Sequence, residues 1–171
     1  MMKYKTSTRT PSKTNRRVLG VDPGFDRIGV AVMDGDNVLY SHCIETSRKL
    51  PHSERLLHIG SELERVIDEW QPKSLAIENL FFNQNATNAL KVSEARGVIL
   101  YEASRKELSI FEYSPQAIKI AVTGYGKADK KQVETMIERL VKLPEKKRRL
   151  DDELDAVALC ITHLASTRAI W

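Results

Sequence analysis

Val18-Leu19-Gly20-Val21-Asp22-Pro23-Gly24 is a short apolar run stopped by an acid and a turn pair. With no polar alternation, it reads as a strand buried on both faces. Outward from it, residues 28–33 and 38–44 flank Asp34-Gly35-Asp36-Asn37, a strong hairpin signal, and give a second and third strand. A run of the same kind recurs at 75–78, where Ser74-Leu75-Ala76-Ile77 ends in Glu78, and residues 110–113 supply a fifth strand. Between them lie helical patterns. Leu56, Ile59, Leu63, Val66, Ile67 and Trp70 recur at helical spacing after a cap at Ser53, and Pro72 closes that helix. A second helix is expected over 86–106. Ser114-Pro115 is a cap and first-turn pair for a short helix that Gly124-Tyr125-Gly126 breaks. Asp129 with Gln132 resembles a capping box, opening a helix through Met136, Ile137, Leu140 and Leu143. The last helix is expected over about 151–167, with Leu154, Val157, Ala158, Ile161, Leu164 and Ala165 as its buried stripe. Three antiparallel strands followed by alternating helix and strand imply a five-stranded mixed α/β sheet with helices on both faces.

The 171 residues suit one domain with a real core, 42% hydrophobic with 29% charged residues is the composition of a soluble globular protein, and no uncharged apolar stretch approaches the roughly 18 residues a membrane span requires. The start carries no apolar signal-peptide core, so a cytoplasmic protein is expected. Cys43 and Cys160 sit in apolar elements without metal-type spacing and read as buried free thiols. The net charge of +4 is unevenly spread: residues 1–17 hold Lys3, Lys5, Arg9, Lys13, Arg16 and Arg17 and no acid. Setting those six aside leaves 21 basic against 23 acidic residues, a body near −2. Residues 1–17 are expected to be a disordered basic arm ahead of a folded 18–171. Such an arm suits a DNA-contacting tail, an extension, or an organelle transit sequence. The body would hold a polyanion only through basic residues clustered on one face. Lys127, Lys130 and Lys131 form one cluster; Lys142 and Lys146-Lys147-Arg148-Arg149 form another.

Acids belong on surfaces, yet Asp22, Glu78, Asp152 and Asp155 sit where apolar elements begin or stop. In an α/β sheet, strand C-termini and helix N-termini gather where ligands bind. If the first and fourth strands are adjacent and parallel, Asp22 and Glu78 share an edge. Asp155 borders the last helix's apolar stripe, and both Asp151 and Asp152 lie one turn from it, so spacing alone does not choose between them. Glu153 points elsewhere. Taken singly, the acids at 151–153 also read as complements of the helix dipole, and Asp22 as a turn former. Taken together they read as a metal site, because clustered anions raise one another's pKa unless a cation joins them. Mg2+ is a hard, oxygen-binding candidate, and a pair of such ions can clamp both sides of a phosphoryl displacement. That points to a metal-dependent nuclease.

Several stretches resemble the RuvC family of Holliday junction resolvases: Val-Asp-Pro-Gly at 21–24, Ala-Ile-Glu-Asn-Leu-Phe-Phe at 76–82, and Asn-Ala-x-x-Ala-Leu-Lys at 85–91 running into Glu-Ala-Arg-Gly at 94–97. So do Ala-Ile-Lys at 117–119, Thr-Gly-Tyr-Gly-Lys-Ala-Asp-Lys at 123–130, and Asp-Glu-Leu-Asp-Ala-Val-Ala at 152–158. The similarity spans about residues 18–165. It implies an RNase H-like fold, and a homodimer that nicks two opposing strands of four-way junction DNA in recombination and repair. It places the catalytic acids and metal ligands at Asp22, Glu78, Asp152 and Asp155, favouring Asp152 over Asp151. Two Mg2+ per subunit are implied, with Mn2+ as a substitute, and products with 5′-phosphate and 3′-hydroxyl ends. Lys119 and Lys130 fall on lysines used near the scissile phosphate or in DNA binding, and Lys119 would stabilise charge on the phosphate. Phe81 falls on an aromatic that stacks against a base. Lys127 and Lys131 are further candidate DNA contacts, and RuvA and RuvB are implied as branch-migration partners. The basic arm and the early C-terminus depart from the family pattern without touching the acids. Two other readings remain: a RuvX-like nuclease of RNA precursors, and an inactive junction-binding protein. A kinase of the actin type would need a second lobe, for which 171 residues leave no room.

Overall fold

Val18, Leu19 and Val21 have no exposure at all, because their strand is covered on both faces and paired on both edges. The computed structural model describes residues 16–79, 86–145 and 149–168, with the backbone alone at 86–88 and 168. The central strand β1 (Val18–Asp22) pairs antiparallel with β2 (Arg27–Asp34) and parallel with β4 (Ser74–Glu78). β3 (Asn37–Glu45) joins β2 through the expected hairpin, where Gly35 takes φ 59°, and β5 (Ser109–Tyr113) runs parallel to β4. The sheet order is β3-β2-β1-β4-β5, the mixed five-stranded sheet read from the sequence.

Period-two alternation sends the residues of β1 to different layers. Leu19 and Val21 join Ile28, Val30, Leu75 and Ile77 under α1 (His52–Trp70) and α2 (Ala86–Arg105). Val18 joins Ala31, Met33 and Ala76 under α5 (Asp151–Arg168), beside α3 (Pro115–Thr123) and α4 (Lys130–Leu140). Large aliphatic side chains fill the first layer. The second is floored by Gly20, Gly29, Ala31 and Ala76, and α5 sinks onto it.

Three local expectations need correction. α1 is capped at Pro51, with no side-chain cap bond, so Ser53 is already inside the helix; the Pro51 carbonyl accepts the first helical bond from the Arg55 amide at 3.1 Å. α4 stops at Leu140 because Lys142 forms a β-bridge with Asn37, its amide donating to the Asp36 carbonyl at 3.4 Å. The pairing overrides an apolar pattern that continues to Leu143. On α5, Ala156, Leu159 and Cys160 are fully buried, whereas Leu154, Ile161 and Leu164 are only partly buried and Ala165 is exposed.

The other caps are as expected. Ser114 accepts from the Ala117 amide at 3.1 Å, Gly124 ends α3 at φ 74°, and Asp129 and Gln132 form a full capping box. Ser114→Ala is therefore expected to cost about 1 kcal/mol, read as a lower urea midpoint with an unchanged slope. Cys43 and Cys160 are buried free thiols. The arm expected at 1–17 falls mostly outside the described residues. Arg17 is tied to the body, donating to the Trp70 carbonyl at 2.8 Å.

Candidate active site

β1 and β4 run parallel in register Val21↔Ile77, so Asp22 and Glu78 emerge side by side at one end of the sheet. The first turn of α5 is brought to the same place by glycine. A Cβ at Gly29 would lie 1.8 Å from the Asp152 carbonyl oxygen, and one at Gly20 would lie 2.2 Å from that of Ala156. With no side chains in the way, the helix backbone rests directly on β1 and β2 and carries Asp152 and Asp155 to the end of β1.

Burial, then Asp155, Glu78 and Asp152 in that order, push the Asp22 carboxyl from 3.8 up to about 7, against the opposing pull of Lys130. Glu78 is raised by burial and by Asp155. Asp155 is raised chiefly by burial, with Lys130 opposing and Asp152 and Asp151 adding. The four acids therefore share one electrostatic neighbourhood.

Two cations meet them. Arg27 Nε lies 3.3 Å from Asp152 Oδ2, and Lys130 Nζ lies 3.1 Å from Asp151 Oδ2 and 3.6 Å from Asp155 Oδ2. Lys119 and Lys130 line a cleft of about 250 Å3 with Glu78 and Asp155, floored by Ile118 and Leu159. The neighbouring aspartates differ in exposure: the Asp151 side chain is 65% exposed, that of Asp152 18%.

Among the described residues, no group of three or more His, Cys, Asp or Glu stands as a finished metal cage. The four acids are close enough to couple, but Asp152 is turned to Arg27 and Asp155 to Lys130. The donor chemistry nonetheless fits a hard divalent cation: all four groups offer carboxylate oxygens, and one, Asp22, is raised to about 7 by burial and then by its acidic neighbours.

Other expected contacts are spread more widely. Lys127 is exposed in the α3–α4 loop, and Lys131 lines a separate hollow of about 460 Å3 with Tyr125 and Arg139. Neither touches the acids. Phe81 and residues 146–148 lie outside the described residues. Arg149 turns inward, donating to the Pro144 carbonyl at 2.8 Å and lying 4.0 Å from the buried Glu153, so it is no part of a basic face.

Several supporting residues escaped the sequence reading. Glu153 accepts from Ser41 Oγ at 3.1 Å and from the Leu150 amide at 3.2 Å, half of a capping box that fixes the first turn of α5. Arg96 reaches from α2 to Glu112 at 2.6 Å and to the Glu78 carbonyl at 3.5 Å. His163 bridges Ser74 Oγ at 3.0 Å and the Tyr113 hydroxyl at 2.9 Å, tying α5 to β4 and β5. The one signal available was glycine inside apolar strands, which marks close backbone approach.

The sheet order, the helices on both faces and the acids at the ends of β1 and β4 define an RNase H-like nuclease domain. The family model for crossover junction endodeoxyribonuclease RuvC matches residues 18–163. The RuvC of Finegoldia magna is 42% identical over 156 residues, covering 89% of this chain and 94% of its own length. The solved structure of T. thermophilus RuvC in complex with Holliday junction substrate aligns with a TM-score of 0.84 at 28% identity, covering 90% of this chain and 96% of that one. The yeast mitochondrial Holliday junction resolvase Ydc2 shares the fold, with a TM-score of 0.65 at 12% identity. The chain belongs to the RuvC family. No described helix is long and apolar enough to cross a membrane.

Proposed function

We propose that this chain resolves four-way DNA junctions by metal-dependent nicking of two opposing strands, leaving 5′-phosphate and 3′-hydroxyl ends. The observation that carries the reading is the meeting of Asp22, Glu78, Asp152 and Asp155, from three separate elements, at one end of a sheet shared with a RuvC solved on a Holliday junction. These four carboxylates would hold Mg2+, two ions per subunit, with Mn2+ able to replace it. Bound there, the metal would supply Lewis-acid chemistry: lowering the pKa of water and stabilising charge on the phosphate and the departing 3′ oxygen.

The chain's own residues do the rest. Asp22 and Glu78, fixed by strand register, set one wall of the site, and Asp152 and Asp155, in the first two turns of α5, set the other. Lys119 comes from α3 into the cleft that also holds Glu78 and Asp155. Its ammonium meets the extra negative charge that the phosphate gains in the transition state. Lys130 offsets the acids and attracts the strand. Lys119→Ala is expected to slow cutting on the order of 10²-fold, by analogy with loss of one oxyanion donor, while junction affinity changes far less. Equal losses in both would make Lys119 a binding residue only.

A twofold junction presents two equivalent phosphates, and a twofold dimer would match them. Leu90 and Tyr101 on α2 are 63% and 64% exposed, and a Cβ at Gly97, between them, would meet nothing within 4 Å. That open apolar stretch is the surface we assign to a homodimer.

The test is nicking of a four-way DNA junction with Mg2+ and then with EDTA, beside structured RNA. The reading expects paired, ligatable nicks in the junction with Mg2+ alone. Cutting of RNA only would favour the RuvX-like alternative, and binding without cutting the inactive one.

A further inference from the structure

We infer that a second phosphate subsite for the cut strand lies beside the four acids, with Arg48 and Lys91 as its ligands. The inference rests on the junction-cutting reading above. A polar cleft of about 680 Å3 lies between the β1–β2 turn, the segment after β3, and α2. Arg27, Arg48, Arg55 and Lys91 line it, against two carboxylates, Asp26 and Asp152. Four cations facing two anions leave the cleft positive.

The pairing shows which cations are available. Arg55 is buried and fully engaged: it donates to Thr46 Oγ1 at 2.9 Å and 2.7 Å, to the Phe25 carbonyl at 3.2 Å, and to Asp26. Its guanidinium also stacks 3.8 Å from the centre of the Phe25 ring. Arg55 is the floor that makes the turn rigid. Arg27 faces Asp152. Asp26 is held below the usual carboxylate range by Arg55 first and Arg48 second, and so one carboxylate is shared between two guanidiniums.

Arg48 is 81% exposed at the rim, with a single acid shared with a buried neighbour. Lys91 is exposed, its ammonium 5.9 Å from the Phe25 ring centre, with no carboxylate partner among the described residues. An arginine fork and a lysine point charge, on a preordered floor, form the arrangement that grips a phosphodiester.

Position names the source of that phosphate. Asp152 lines this cleft, and Asp155, three residues further along α5, lines the one that holds Lys119 and Lys130. The two clefts meet at the acids. A strand with its scissile phosphate on the acids must continue into a neighbouring cleft, and this one carries the uncompensated positive charge.

The test uses the full chain and a four-way junction, with EDTA present to keep the DNA whole. Arg48→Gln and Lys91→Gln are each expected to weaken binding on the order of five- to tenfold near 0.1 M salt. Each is also expected to lower the slope of log affinity against log salt by about one. Arg65→Gln removes the same charge from the exposed Glu62–Arg65–Glu69 set on α1 and should leave the slope as in wild type. Methylphosphonate is then placed at successive positions of the cut strand. One neutralised phosphate beside the cut should weaken wild type but not the Arg48→Gln/Lys91→Gln double variant.

Wild-type slopes in both single variants, an equal drop in Arg65→Gln, or no position with that cancellation overturns the subsite while junction cutting stands. Wild type that fails to nick the junction with Mg2+ overturns the parent reading, and the subsite with it.

Discussion

Asp22→Asn is expected to abolish junction cutting and, in metal-free buffer at pH 8, to make the folded protein more stable. The two effects have one origin. Burial and three neighbouring acids raise Asp22 from 3.8 to about 7. The folded state therefore keeps a proton that the unfolded chain releases. This contribution is fully present below about pH 4, fades as pH rises, and is gone above about 7. At 1.36 kcal/mol per pKa unit, wild type has lost about 4 kcal/mol by pH 8. Asn carries no charge at any pH and escapes that loss. The same substitution takes away one of four hard oxygen donors, and losing several kcal/mol of transition-state stabilisation means a drop on the order of 10³-fold or more in rate. Thermal unfolding at pH 8 should show the variant melting later than wild type in EDTA. Mg2+ should then raise the melting point of wild type but not of the variant. A variant that melts no later in EDTA contradicts the crowding of acids around Asp22.

Gly29→Ala is the second large effect, and it separates position from chemistry. The new methyl would lie 1.8 Å from the Asp152 carbonyl oxygen and 2.5 Å from its carbon. Backbone atoms have no rotamer to retreat into, so α5 must lift from the sheet. Overpacking costs about 1–3 kcal/mol, occasionally more, and this contact belongs at the upper end. Asp22 and Glu78 stay where strand register puts them, while Asp152 moves away. A displacement on the order of 1 Å costs roughly 10²-fold in rate. Cutting should therefore fall on that scale at temperatures where circular dichroism still shows a folded protein. Gly20→Ala, 2.2 Å from the Ala156 carbonyl oxygen and 2.7 Å from Cys160 Sγ, should destabilise similarly but act on a deeper turn. Wild-type stability and cutting in Gly29→Ala would show that close seating of α5 is unnecessary.

Much of this was legible in the sequence because apolar strands that end in acids are rare. The runs at 18–22 and 74–78 announce both their burial and their termini, and parallel pairing then brings Asp22 beside Glu78. What stayed hidden depends on contacts across long separations. The buried face of α5 is legible only in part: Val157 and Ala158 are buried as expected, but hydrophobic periodicity favours large side chains, whereas the closest seating uses Ala156 and Cys160 over Gly20. α4 ends before its apolar pattern does, and nothing local tells that Lys142 will pair with Asn37. Arg27 reads as an ordinary charge at the head of a strand, and its place beside Asp152 follows from the antiparallel register under α5. Helical spacing leaves Asp151 and Asp152 equivalent, and only the packed helix turns one outward and the other in.

The central claim, that carboxylates remote in sequence gather to hold divalent ions, is tested most directly by anomalous diffraction from crystals soaked in Mn2+. The account expects anomalous density bounded by Asp22, Glu78, Asp152 and Asp155, with Arg27 and Lys130 drawn off their acid partners. Mn2+ bound elsewhere on the chain, or these carboxylates left without density at millimolar metal, would contradict it.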